Sequence, residues 1–182
     1  AAMLDSMQRR IAALRLDLSG LTVLTEAATG AYACTAPLAA MAGARVHAVG
    51  RDTRRYGGFA EAEGATLRLA AAAGVAGRIT VSRSVDPAVL RDCDIVTNSG
   101  HLRPITAATI AALPPRAVLA LMFEAWEFRG ADFDLAACRA RGIRVAAVNE
   151  RHPDVGVFPF LGPLCLRLLA EGGVRPAGAE VA

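Results

Sequence analysis

The chain has 182 residues and 54% hydrophobic composition, which fits one domain with a sizeable core. Its net charge of +3 is carried without a single lysine, and no arginine stripe interleaves with aromatics, so nucleic-acid binding is not expected. No apolar run reaches the ~18 residues a membrane span needs, and no signal-peptide pattern opens the chain, so a cytoplasmic protein without a membrane partner is expected.

Leu4, Met7, Ile11, Leu14 and Leu18 recur at helical spacing and predict a helix over 4–17. A first strand follows over 21–25. The stretch 30–42 reads as helical, with Pro37 either kinking it or moving its start towards Thr35. Strand 45–49, helix 59–73 and a short strand 78–81 come next. Asp86 and Pro87 open a helical turn, since Asp caps and Pro suits the first position. Strand 95–98, helix 106–113, strand 117–122, a helix opening at Asp132 or Asp134, and strand 143–148 complete the alternation. A last helix is predicted over 162–170, with a frayed tail after Gly172.

Strands alternating with helices at this spacing predict an α/β fold, a doubly wound six-stranded parallel sheet in the order 3-2-1-4-5-6, Rossmann-like, with flanking terminal helices. The expected organisation is an amino-terminal helix over 1–18, a nucleotide-binding domain over 19–152, and a carboxyl-terminal helix and tail over 153–182. The four cysteines are far apart, lie in apolar segments and form no C-x-x-C, so buried free thiols are expected. No metal-ligand spacing is present.

The unusual polar residues cluster at the carboxyl ends of the predicted strands, where such sheets bind ligands. After the first strand comes Thr25-Glu26-Ala27-Ala28-Thr29-Gly30. Of the G-x-G-x-x-G usual in dinucleotide folds only Gly30 remains; Thr29 can donate to a phosphate, whereas Glu26 would repel one. After the second strand, Gly50 leaves room and Arg51, with Arg54 and Arg55, suits a 2′-phosphate, so NADP is preferred over NAD unless Asp52 turns inward to the ribose. The alternative is a solvated basic turn.

Thr97, Asn98, Ser99, Gly100 and His101 end the fourth strand, and His101 transfers protons near neutral pH; the alternative is a capping or exposed histidine. Glu124 to Gly130 holds the only tryptophan, Trp126, with Arg129 suited to grip a carboxylate bidentately. Glu124 or Glu127 serves there as acid/base, or pairs with Arg129. His152 follows the sixth strand as a second candidate for the proton. His47, inside the second strand, reads as structural.

At these residues the chain resembles the NAD-binding domains of the D-2-hydroxyacid dehydrogenase and adenosylhomocysteinase group. Ile95 to His101 is similar to the I-V-x-N-x-G-H segment of adenosylhomocysteinases, which lies beside the nicotinamide. Arg129-Gly130 with Asp134 resembles the A-R-G-G-x-x-x-D turn of the hydroxyacid dehydrogenases, where the arginine binds the substrate carboxylate. The resemblance implies an NAD(P)-dependent oxidoreductase or oxidoreductase-like domain acting on a small carboxylate or polar metabolite. The cofactor would contact Thr25, Thr29, Gly30, Arg51, Thr97, Asn98 and Gly100, and His101, Arg129, His152 and Glu124 would carry the chemistry.

Two other readings stay open. Residues 23–32 loosely track the first motif of S-adenosylmethionine-dependent methyltransferases. A non-catalytic binding or scaffold domain is the other, supported by the lost glycines. A substrate domain is missing from the pattern, so the expectation is a homodimer, sharing the faces of helices 4–17 and 162–170, or a partner chain that completes the cleft.

Overall fold

A computed structural model describes residues 2–55, 57–122, 128–153, 155, 157–175 and 177–178. The strands are β1 (Thr22–Glu26), β2 (Arg45–Val49), β3 (Ile79–Ser82), β4 (Ile95–Thr97), β5 (Val118–Ala120) and β6 (Arg144–Ala146). They form one sheet in the order β3-β2-β1-β4-β5-β6, with every pairing parallel, as the sequence predicts. The helices are α1 (Ala2–Leu14), α2 (Thr35–Met41), α3 (Phe59–Ala72), α4 (Pro87–Asp92), α5 (Ala107–Ala112), α6 (Leu135–Arg141) and α7 (Val157–Glu171).

Strand alternation divides the core. Val23, Val46 and Ala48 pack with Ala36, Ala39 and Ala40 of α2 and Ala70 of α3. Leu24, Val49, Val96 and Leu119 pack with Ile110 of α5 and Cys138 of α6. Neighbours Val23 and Leu24 thus serve opposite faces, as a period of two requires. The first face is lined by alanines, so α2 and α3 can lie close against the sheet.

Caps fix the helix starts. Asp86 accepts from Ala88 N–H at 2.7 Å before α4, Thr106 from Thr109 N–H at 3.3 Å before α5, and Asp134 from Ala137 N–H at 2.8 Å before α6. Asp134, not Asp132, therefore opens that helix. Gly142 ends it at φ +66°, where a side chain would be strained.

Two elements depart from expectation. Residues Gly30–Cys34 form a 3₁₀ turn and α2 begins only at Thr35, which puts Pro37 in the first turn, where its missing N–H costs nothing. α7 begins at Val157 rather than 162 and runs through Pro163. It also stays outside the packed layers: Phe158, Phe160, Leu161, Leu166 and Leu168 are 49–59% exposed. No helix among the described residues is long and apolar enough to cross a membrane.

The thiols do not behave alike. Cys93 and Cys138 are buried and Cys34 half-buried, but Cys165 on α7 is exposed, which corrects the expectation for that residue. Burial pushes the Cys93 thiol up to about 12. Its folded value lies above its unfolded one, so its contribution is complete below about pH 9 and is lost as pH rises towards 12. We expect a thiol reagent at neutral pH to modify Cys165 at once and Cys34 more slowly, with Cys93 and Cys138 protected until unfolding. Stability against urea should fall by roughly 1 kcal/mol per pH unit above pH ~9. A flat profile there in wild type, identical to that of Cys93→Ala, would show that Cys93 is not the titrating group.

Candidate functional site

The chain reverses its direction across the sheet between β1 and β4, which lie side by side. At their carboxyl ends opens a cleft of about 720 Å³. Its lining includes Glu26, Thr29, Arg51, Asn98, Ser99, Gly100, His101 and Arg129, drawn from four separate loops. The structure therefore brings together most of the residues the sequence singles out.

Beneath the cleft runs a buried polar row. Thr97 Oγ1 donates to Thr25 Oγ1 at 2.9 Å and lies 3.4 Å from Ser99 Oγ, joining β1 to β4. Thr25 and Thr97 are thus part of the support beneath the cleft and are not among its lining residues. The loop after β1 is pinned from below by Thr66 of α3. Its hydroxyl accepts from Ala28 N–H at 3.2 Å and donates to Ala28 O at 3.4 Å. A lone buried threonine on an alanine-rich helix is the signal that marks it. Gly30 opens the 3₁₀ turn at φ +62° and does not line the cleft.

His101 and Arg51 meet instead of standing at opposite ends of a ligand. Arg51 Nη2 donates to the His101 carbonyl. His101 Nδ1 lies 3.2 Å from Val49 O, at the end of β2. With Nδ1 donating to that carbonyl, Nε2 keeps its lone pair and can accept a proton.

The expected room at Gly50 is filled. A Cβ there would meet the Phe59 ring at 3.0 Å, so this glycine admits a side chain of the protein, not a ligand. Asp52 is also committed. It accepts from Phe59 N–H at 2.7 Å and pairs with Arg83 at 2.7 Å, and these bonds hold its carboxyl below the usual range. Arg83 in turn stacks 4.3 Å over the Phe59 ring. Asp52 therefore does not compete for a ligand at this strand end.

Asn98, 2% exposed, holds the junction of β4 and β5. Its Oδ1 accepts from Met122 N–H at 2.6 Å, which fixes the amide's orientation. Its Nδ2 is buried without a hydrogen-bond partner. A buried donor left unmade costs about 1–3 kcal/mol, so an acceptor supplied by a ligand would be favoured there.

Among the described residues, five arginines line the cleft, Arg51, Arg54, Arg55, Arg103 and Arg129, against one carboxylate, Glu26. Arg103, which no motif in the sequence marks, pairs with Asp132 at 3.1 Å. Arg54 and Arg55 sit on a turn closed by Thr53 N–H donating to Gly57 O at 2.9 Å. His152 lies in an exposed turn after β6 and is not brought to the cleft. Glu124, Trp126 and Glu127 lie outside the described residues. Among the described residues no three His, Cys, Asp or Glu side chains gather as a metal site would require.

Neither a protein-family signature nor a curated protein sequence matches the chain. Solved structures do. A dipicolinate synthase polypeptide from Bacillus halodurans superposes with a TM-score of 0.57 and 18% identity over 91% of this chain and 52% of that one. Dipicolinate synthase from Bacillus subtilis gives 0.57 and 16% over 93% and 53%. Shikimate 5-dehydrogenase from Listeria monocytogenes, in complex with shikimate and NAD, gives 0.53 and 14% over 79% and 51%. At such identities the likeness establishes the Rossmann-like fold, and the chain spans about half the length of these structures.

Asn98 provides a direct test of the junction. Replacing it with Ala strips the acceptor from Met122 N–H and empties the space of the side chain, which should outweigh the relief of the unpartnered Nδ2 and leave a net cost of about 1 kcal/mol in urea unfolding. An unchanged midpoint would mean that water satisfies this amide and that Asn98 does not brace the junction.

Proposed function

We propose that the chain is the dinucleotide-binding part of an NAD(P)-dependent oxidoreductase that acts on a small carboxylate. The observation that carries this reading is the arginine-lined cleft at the β1–β4 reversal, where sheets of this order take their ligands. The buried, unpartnered Asn98 Nδ2 adds a donor of the kind a bound carboxamide or carboxylate would satisfy. The Rossmann-like neighbours support the fold half of the argument.

In this reading Arg51, Arg54 and Arg55 hold the adenosine end and its 2′-phosphate, and Thr29 borders the pyrophosphate. Asn98 and Gly100 border the nicotinamide, and Arg129 grips the substrate carboxylate. A bound nicotinamide ring would supply the hydride acceptor or donor. His101, whose ring meets Val49 O and whose carbonyl meets Arg51, stands at the adenosine end in this reading rather than at the reacting carbon. A second reading, an S-adenosylmethionine-dependent methyltransferase, draws on Glu26, since a carboxylate at the end of β1 favours a cationic ligand.

Calorimetric titration separates the readings. NADP should bind about 10- to 100-fold more tightly than NAD, because a 2′-phosphate gains charge-assisted bonds from the basic turn while Asp52 is engaged elsewhere. Equal or stronger NAD binding refutes the arginine assignment, and tight binding of S-adenosylmethionine alone refutes the oxidoreductase reading. Arg129→Ala should weaken binding of a simple dicarboxylate such as succinate more than tenfold while leaving NADP affinity nearly intact. Unchanged succinate affinity in the folded variant would remove Arg129 from the site.

A further inference from the structure

We propose that Glu26 makes the cleft selective for an amino-substituted carboxylate, reading the ligand's ammonium group while the arginines read its anionic one. The proposal deepens, and rests on, the assignment of this cleft as the ligand site. Glu26 ends β1, is half-buried and faces the cleft. Among the described residues its carboxylate takes part in no hydrogen bond or ion pair. Arg103 stands close by: a Cβ on Gly100 would lie 3.9 Å from Glu26 Oε2 and 3.7 Å from Arg103 Nη2. Arg103 is bound through Nη1 to Asp132 and makes no ion pair with Glu26.

A fixed negative charge and fixed positive charges therefore face one space. A ligand carrying only anionic groups is attracted by the arginines and repelled by Glu26. A ligand carrying an ammonium beside a carboxylate satisfies both. The second observation is Asn98 Nδ2, buried and without a partner in the same cleft, which offers a further donor to the ligand's carboxylate. A hydroxyl in place of the ammonium keeps the hydrogen bond to Glu26 but gives up the charge, so it gains less.

Three probes share one carbon chain and differ in a single substituent: succinate (hydrogen), malate (hydroxyl) and aspartate (ammonium), each chiral probe as both enantiomers. They are titrated calorimetrically at neutral pH, with and without saturating NADP. We expect the better enantiomer of aspartate to bind wild type at least ~10-fold more tightly than succinate, with malate between. Glu26→Gln should bring aspartate to within ~3-fold of succinate, and succinate should bind the variant no less tightly than wild type. Succinate binding wild type as well as aspartate does overturns the proposal, without recourse to any variant. So does a failure of aspartate to bind at ~50 mM, or an aspartate preference that survives Glu26→Gln. NADP titrated alone tests the dinucleotide reading separately. Aspartate preference without NADP binding refutes that reading and leaves Glu26 in its role; NADP binding without aspartate preference does the reverse.

Discussion

The carbonyl oxygen of Val49 ties the site together. At the end of β2 it accepts Ala27 N–H at 2.9 Å from the chain leaving β1, and it lies 3.2 Å from His101 Nδ1 on the loop leaving β4. One acceptor thus joins three strand ends at the place where the sheet reverses. Arg51 closes the same circuit from the other side by donating to the His101 carbonyl. The positions of His101, Arg51 and the loop of Glu26 are consequently not independent. A substitution that displaces one is felt by the others, and additivity between them should fail.

The sheet was legible because its signals are local and periodic. Strand β2 falls on 45–49 as read, and the order of all six strands follows from alternation with helices and from crossover handedness. The caps act within three residues of themselves, so the sequence marks Asp86 outright and narrows the start of α6 to Asp132 or Asp134, while Thr106 reads only as the start of its helix. The site was legible as a set of loops but not as a geometry. Gly50 looks like space for a ligand until Phe59, nine residues on, is seen to fill it. Arg51 and His101 lie 50 residues apart in the chain, and nothing in either segment announces that they touch. Arg103 carries no motif of its own, and its partner Asp132 comes from another loop. Contacts set by folding over long separations escape a reading that moves along the chain.

Arginine illustrates the same limit from another direction. With every basic residue an arginine, the composition dilutes the meaning of each one. The structure restores it by position. At the amino-terminal edge of the sheet, Arg45 pairs with Asp92 at 2.6 Å and Arg116 with Asp94 at 2.6 Å, so acid balances base. The Arg45–Asp92 pair is largely exposed and contributes little to stability, whereas Asp94 is mostly buried beneath Arg116. At the carboxyl edge, five arginines face one cleft with Glu26 as its only lining carboxylate among the described residues.

That imbalance has a thermodynamic consequence. Like charges gathered around a cleft repel one another, and a buried Asn98 amide without a partner adds its own desolvation cost. Acids also pair with arginines at the carboxyl edge, Asp52 with Arg83 at 2.7 Å and Asp132 with Arg103 at 3.1 Å, so the excess of arginine among the described residues lies in the lining of the cleft itself. Any ligand that neutralises the arginines and accepts from Asn98 binds the folded state only, so it recovers stability in proportion to its affinity and concentration. The proposed ligand site therefore lies where, among the described residues, arginines outnumber the carboxylates that line the same space.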